Sequence, residues 1–360
     1  MKSMKTTYTY LYSCLFTLAL VSCNNGLDSI KAVDPGEDTS APVVSVIYPS
    51  EGTLLRVTDD VTDIDINCDV TDDIELKNVL FKLDDQSINE VSDFTDYRHG
   101  VIKFNYANVT NGSHTLSVVA QDLTGKETTS IVHFTKAEPY KATYDGEVMY
   151  FPFDGDYTEL LSITDATVVG TPSFGGDAKV GLNSYSSTEG SYISFPADAI
   201  TANHTCTFTF WYNVNAVPDR AGILVLGDEV EAASGQRMHG FRLFREGSNT
   251  EQRIKANVGI GTTDVWCDGF VLPVDGSGWK FIALVIDTDK ISLYYDGELG
   301  LSSDLSAPVD WTNCTALSIL NGSPSFDYWN HKYDGSMMDD LRGYNKALTQ
   351  EEIKTIMAAN

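Results

Sequence analysis

The chain has 360 residues, with 51 Asp and Glu against 24 Lys and Arg, a formal net charge of −27 at pH 7 and 42% apolar residues. The length suits two domains, and the apolar share suits packed cores rather than disorder. The acidic excess repels nucleic acid and other polyanions at long range, so a nucleic-acid partner is excluded.

Lys2 and Lys5 precede the apolar run "YTYLYSCLFTLALVS" at 8–22. That run is short for a membrane span and has the layout of an export signal. Leu20-Val21-Ser22-Cys23 resembles the lipobox of bacterial lipoproteins. The resemblance implies a signal peptide over 1–22 and a lipid on Cys23; the alternative is an ordinary secretory signal with a chance cysteine. Cleavage removes two lysines and no acid, taking the charge from −27 to −29. Residues 23–41 are polar, acidic and rich in turn formers, which predicts a flexible tether.

From 42 to 136 the pattern is that of strands. In "VTDIDINCDV" (61–70), Ile64, Ile66, Cys68 and Val70 alternate with Asp63, Asp65, Asn67 and Asp69, a period of two with one face in a core. "NVLFKLDD", "VIKFNYANV", "HTLSVVAQD" and "TSIVHFT" continue it. About seven short strands predict a small β-sandwich. Asp72, Asp73 and Asp122 read as solvated turn acids, with calcium at a sandwich end as the alternative. A polar linker containing Pro139 follows at 137–143.

Residues 144–360 are again strand-rich. "CTFTFWYNV" alternates Cys206, Phe208, Phe210 and Tyr212 against Thr207, Thr209, Trp211 and Asn213. "WKFIALVID" (279–287) is apolar on both faces, as a central strand covered twice would be. Asp296-Gly297 predicts a tight hairpin, since a type I′ turn needs positive φ. Roughly a dozen strands predict one two-sheet jelly roll. Only the C-terminus reads as helix: Thr349 and Glu352 form a capping box, Leu348 and Ile353 a hydrophobic staple, and Ile353, Ile356 and Met357 an apolar stripe. The fold class is all-β throughout.

After cleavage four cysteines remain besides Cys23. Cys68 and Cys206 lie in alternating strands and read as buried thiols; Cys267 with Cys314 is the pair to test for a disulfide.

"DTSAPVVSVIYPSEG" and "GSHTLSVVAQDLTGKETTSIVHF" resemble bacterial immunoglobulin-like domains of surface proteins, which usually act as spacers. The second domain resembles laminin-G-like, concanavalin A-like jelly rolls of the bacterial type. "YFPFDGDYTE", "GSYISFP" with "CTFTFWYNV", "GWKFIALVIDTDKISLYYDGEL" and "YDGSMMDDLRGYNKALTQEEI" carry that resemblance in order. It implies that the first and last strands are neighbours. Asp154 and Asp156 could then meet Asp339 or Asp340 around a structural Ca2+. Successive strand residues face opposite ways, so Asp339 and Asp340 cannot both reach one ion. Aspartates accepting backbone N–H groups are the alternative.

Hydrolases on this jelly roll usually carry closely spaced acids on one strand, such as E-x-D-x-x-E; none is present, nor is a G-x-S-x-G elbow. The nearest acid groups, Asp228 with Glu229 and Glu231 and Asp339 with Asp340, read as turn or end residues. A non-catalytic saccharide-binding site is the better reading. It needs aromatic faces and planar polar side chains. "FDYWNHKYDG" (326–335) supplies Tyr328, Trp329, His331 and Tyr333 in one loop, a second loop supplies Trp266, and "GQRMHGFRLFREG" offers Arg237, His239 and Arg242. The alternative is a flap packed on its own domain. Trp211 and Trp279 read as core, and Trp311 is left open. The chain then resembles accessory glycan-binding lipoproteins of Gram-negative uptake systems, held by lipid in the outer membrane at the cell surface. Adhesion to a host or neighbour protein and glycan degradation are the other readings.

Overall fold

The computed structural model describes residues 36–232 and 235–359. The signal segment, Cys23 and most of the tether lie outside the described residues. The chain divides into two compact units. One runs to Glu51 and adds Asp65–Asn105 and Thr115–His133; the other comprises Gly52–Ile64, Tyr106–His114 and Phe134 onward.

The first eight strands are β1 (Val43–Tyr48), β2 (Thr53–Leu55), β3 (Val61–Thr71), β4 (Leu76–Leu83), β5 (Gln86–Val91), β6 (His99–Thr110), β7 (Gly112–Asp122) and β8 (Glu127–Lys136). They pair as β1-β3-β6 and β2-β8-β7-β4-β5, with β2 parallel to β8. Ile64, Ile66, Cys68 and Val70 of β3 are buried, as the period of two requires. Asp72 and Asp122 accept backbone N–H groups of their own turns, from Ile74 and from Lys126.

Seventeen strands follow, more than a dozen because five of them have only two or three residues. They are β9 (Glu147–Phe151), β10 (Thr158–Glu159), β11 (Thr164–Asp165), β12 (Thr167–Val169), β13 (Ser173–Phe174), β14 (Tyr185–Ser186), β15 (Tyr192–Pro196), β16 (Cys206–Asn213), β17 (Arg220–Leu226), β18 (Phe241–Gly247), β19 (Glu251–Gly259), β20 (Asp264–Pro273), β21 (Lys280–Ile286), β22 (Lys290–Tyr295), β23 (Glu298–Asp304), β24 (Ala316–Ile319) and β25 (Met337–Tyr344). An eight-stranded sheet runs β13-β14-β25-β16-β21-β22-β23, with β9 beside β25. A seven-stranded sheet runs β12-β15-β24-β17-β18-β19-β20. First and last strands are therefore neighbours. β22 turns into β23 through Asp296 and Gly297, both at positive φ.

Directly paired residues of a sheet share a face, so each sheet has a legible inside and outside. In the seven-stranded sheet, Ile193, Ile319, Leu224, Leu243, Ala256 and Cys267 pair in one row. All six lie in the core between the sheets. The next row, Ser194, Ser318, Val225, Arg242, Asn257 and Trp266, pairs in the same way and faces out. In the other sheet, Ile282, Leu284 and Ile286 of β21 face that core, while Phe281, Ala283 and Val285 face the C-terminal helix. β21 is thus covered on both sides, as its continuous apolar run demands.

The helix Gln350–Ala358 starts with the capping box of Thr349 and Glu352. Leu348 and Ile353 are buried together, and Ile356 with them, against Trp211, Phe281 and Tyr344. Asp198–Thr201 and Glu229–Ala232 add two short helical turns. All four described cysteines are buried free thiols. The pair singled out for testing, Cys267 and Cys314, is not bridged: Cys267 sits opposite Ala256 in the sheet, whereas Cys314 lies against Gly240.

Candidate functional site

Between β24 and β25 the chain leaves the seven-stranded sheet as a closed loop. Its neck is pinned by the Asn321–Tyr333 bridge, by Gly322 N donating to Lys332 O (2.9 Å) and by Asp334 N donating to Leu320 O (2.9 Å). Close approach requires glycine here: a Cβ on Gly222 would stand 2.3 Å from Gly322 N. The loop therefore folds back over the outer face of β17, β18 and β19 as a flap. Phe326 packs there on Val225 and Phe244, with Tyr328 alongside.

The flap separates its aromatics sharply. Trp329 is 43% exposed, whereas His331, two residues on, is fully buried. The His331 ring stacks on Phe326 with centroids 4.5 Å apart, and its Nε2 lies 2.9 Å from Glu246 Oε1. Burial pushes its pKa down to about 4 against the pull of Glu246. His331 is thus a neutral strut holding the flap, not a group that can touch a ligand, which corrects the sequence expectation. Tyr333 stands half-buried at the neck. Arg220 Nη1 donates to Trp329 O at 3.3 Å and fixes that residue's backbone.

Trp329 meets Trp266 of β20, itself 36% exposed. Their centroids are 6.3 Å apart with 28° between the planes, a stacked pair of partly exposed rings. The Arg237 guanidinium carbon lies 4.8 Å from the Trp329 centroid and 5.3 Å from that of Trp266. Arg237 also donates Nε to Asp264 (2.8 Å) and Nη1 to the Tyr328 hydroxyl (3.3 Å). Asn257 donates to the same Asp264 oxygen at 2.8 Å. Burial would raise the Asp264 carboxyl, but the hydrogen bonds from Arg237 and Asn257 outweigh it and hold it below its usual range. Glu246 is likewise held low, burial being outweighed by Lys255 and Arg220. Trp329, Tyr328 and Trp266 are thus brought together, with Arg237 as the planar polar group among them.

Arg242, expected at a ligand surface, lies beneath the flap with no exposed area. Its Nη1 donates to His239 O at 2.8 Å, while Nε and Nη2 have no hydrogen-bond partner. Asn257 Oδ1 and Ser318 Oγ, in the same outward row, are also buried and unpaired. Asn257, Asp264 and Ser318 escaped sequence reasoning. Each is an ordinary polar residue in a strand, and only the register places them beside Arg242 and Trp266.

The four aspartates expected around calcium do not come together: among the described residues no three His, Cys, Asp or Glu side chains form a metal-ligand group. Each is committed to protein donors instead. Asp339 Oδ2 accepts the backbone N–H groups of Lys179 (2.7 Å) and Val180 (2.8 Å). Asp340 pairs with Arg342 at 2.9 Å, and Arg342 also binds Glu147 at 2.7 Å. Asp154 accepts from Leu182 N at 2.5 Å, and Asp156 from Thr158 N at 3.0 Å. Burial raises Asp339 to about 6 despite its N–H partners, and raises Asp340 against the pull of Arg342. Asp340 sits at φ 50° where β25 carries an extra residue opposite β16, a bulge that turns the two carboxylates to separate partners.

Residues 187–354 match the family described as the concanavalin A-like lectin/glucanases superfamily, and residues 42–118 match the bacterial Ig domain. No curated protein matches the chain. Among solved structures, domain 4 of a GH43 extracellular arabinanase from Geobacillus stearothermophilus, in complex with arabinotriose, is 15% identical with a TM-score of 0.44 over 59% of this chain and 98% of that one. The binding domain of botulinum neurotoxin DC in complex with SialylT is 9% identical with a TM-score of 0.43, over 60% of this chain and 51% of its own length. The binding domain of Paraclostridial Mosquitocidal Protein 1 is 12% identical with a TM-score of 0.43, over 60% and 52%. The chain thus spans about half the length of these toxin domains. The chain thus joins a segment that matches the bacterial Ig domain to one that matches the concanavalin A-like lectin/glucanases superfamily.

Proposed function

We propose that the chain is a cell-envelope lipoprotein whose C-terminal domain binds saccharide without turning it over. The observation that carries this reading is the half-exposed pair of Trp266 and Trp329, held by Arg237, Arg220 and the flap. Large aromatic rings left facing water at a fixed spacing offer the apolar faces of sugar rings a platform, and Arg237 with Tyr328 offers polar edges. Glycoside hydrolysis needs two carboxyls across the scissile bond, one of them kept protonated. The acids beside the tryptophans, Asp264 and Glu246, are held in the ionised form. The two carboxyls that burial raises, Asp339 and Asp340, are enclosed in the other sheet.

Lipid on Cys23 and the tether would hold the module at the outer-membrane surface, beside an uptake complex for the captured glycan, with the Ig domain as spacer. Lipid incorporation in wild type but not in Cys23→Ala tests the anchor. A saccharide array probed with residues 24–360 tests the module. A coherent set of related glycans, bound without product release, is the expected result. Silence from folded protein would remove the saccharide reading and leave protein adhesion; steady release of product would make the domain an enzyme.

A further inference from the structure

The ion pair beside the tryptophans leaves part of its hydrogen-bonding capacity unused. Arg237 donates Nε to Asp264 Oδ2 (2.8 Å), and Nη1 to Gly235 O (2.9 Å) and the Tyr328 hydroxyl (3.3 Å). Its Nη2 has no hydrogen-bond partner among the described residues and is not enclosed. Asp264 Oδ2 accepts both Arg237 Nε and Asn257 Nδ2, at 2.8 Å each. Among the described residues no side chain donates to the other oxygen, Oδ1, and it too is not enclosed. The Arg237 and Asp264 side chains keep 16% and 22% of their surface in water. A guanidinium N–H and a carboxylate lone pair are therefore left free on either side of one 2.8 Å contact.

The pair stands beside both indoles. Asp264 and Trp266 are alternate residues of β20 and so share its outward face. The Arg237 guanidinium carbon lies 4.8 Å from the Trp329 centroid and 5.3 Å from that of Trp266. The neighbouring charges are matched. Glu246 has Lys255 at 3.1 Å and Arg220 at 3.7 Å, and Lys255 also has Asp268 at 3.4 Å. Arg237, Arg220 and Lys255 thus each have a carboxylate partner. An anionic ligand would find these cations already paired. It would also meet Asp264, which Arg237 and Asn257 hold ionised against the effect of burial. Hydroxyls suit the free atoms better. One can accept from Nη2 while its neighbour donates to Oδ1. A charged partner in each bond makes both of them strong.

We infer that the tryptophan pair takes an uncharged sugar unit with two adjacent free hydroxyls, one accepting from Arg237 Nη2 and the other donating to Asp264 Oδ1. The inference rests on reading this surface as a saccharide site, and its test keeps the two apart. The purified protein is titrated by calorimetry with the methyl glycosides of glucose, galactose and mannose and with methyl glucuronide and methyl galacturonide. The sugar that binds is then compared with analogues that lack one ring hydroxyl at a time. A neutral glycoside should bind at least about tenfold more tightly than its uronide. Removing either of two adjacent hydroxyls should cost about tenfold or more, the worth of a hydrogen bond to a charged group. Removing the others should cost about twofold at most. Asp264→Asn should weaken the parent sugar about tenfold. In that variant, loss of the donating hydroxyl should cost little more, because the two changes remove the same bond. Damage to the platform alone would leave the cost of that hydroxyl unchanged. Uronides bound as tightly as neutral sugars, or no pair of adjacent hydroxyls that matters, would overturn the hydroxyl reading and leave the tryptophan platform standing. A hydroxyl whose cost is the same in wild type and Asp264→Asn would overturn the role of Asp264. Binding of none of these sugars by folded protein would count against the platform, and this inference would fall with it.

Discussion

The outer face of the eight-stranded sheet is apolar and covered by a helix; the outer face of the seven-stranded sheet is polar and covered by a loop. On the first, Trp211, Phe281, Ala283 and Val285 meet Leu348, Ile353 and Ile356, and the surface is closed. On the second, Arg242, Asn257 and Ser318 keep buried polar atoms unpaired, and two tryptophans stay half in water. Both faces belong to one sandwich with one shared core. Closing the second face with apolar side chains would cost less than leaving polar atoms unpaired. On the proposed function the first face is structural and the second is the one that would meet a ligand.

The comparison can be broken most forcefully at the base of the flap. Asp334 forms a fully buried pair with Arg245 at 2.8 Å and accepts the Tyr212 hydroxyl at 2.6 Å. Asp334→Ala should destabilise the jelly roll by about 3–5 kcal/mol, since Arg245 is left without its partner. Denaturant unfolding, followed domain by domain, measures this. Ile353→Ala on the helix-covered face should cost about 2–5 kcal/mol and leave saccharide affinity unchanged in calorimetry. Trp329→Ala should do the reverse. Saccharide affinity should fall by about 2 kcal/mol or more, while unfolding changes little because the ring is 43% exposed. Loss of stability equal to the loss of binding would make Trp329 a core residue.

Two smaller tests sharpen the same contrast. Thr349→Ala removes the helix cap and should cost about 1 kcal/mol, again without touching binding. The flap should carry a pH signature through His331, whose folded pKa of about 4 lies below its ordinary 6.5. Above 6.5 the ring is neutral in both states. As pH falls from 6.5 to about 4 the unfolded chain takes up a proton that the folded site refuses, so stability is lost across that window. The wild type should therefore lose more stability there than His331→Gln. Asp339 works in the opposite sense. Its carboxyl titrates near 6 when folded and near 3.8 when unfolded, so acidification between those values favours the folded state. An NMR titration that shows the His331 imidazole protonated at pH 5.5 would contradict the buried strut.

The elements that local pattern controls were legible. The alternation of β3, the double-sided run of β21, the Asp296-Gly297 turn and the Thr349 capping box all follow from residues within a few positions of one another. The aromatic density of 326–335 pointed to the flap, yet not to which rings face water. Trp329 and His331 are two residues apart, yet His331 is buried against Glu246 and Phe244, some 85 residues upstream, while Trp329 meets Trp266 and Arg237. Asp339 and Asp340 do serve different partners, through the bulge at Asp340 and not through strand alternation. The identity of one of them, the backbone at Lys179 and Val180, lies about 160 residues away. The row from Ser318 to Trp266 was invisible because β24 inserts between β15 and β17, against chain order. Such long-range register has no local signal.

The five tryptophans offer the most direct test of the proposed ligand-binding face. Fluorotryptophan labelling gives each of Trp211, Trp266, Trp279, Trp311 and Trp329 its own 19F resonance, assigned by single substitution. On titration with a saccharide selected from the array, Trp266 and Trp329 should shift together and saturably, while Trp211 and Trp279 on the helix-covered side stay fixed. Shifts confined to Trp211 and Trp279, or binding with no shift at Trp266 and Trp329, would contradict the assignment of the ligand surface to the seven-stranded sheet.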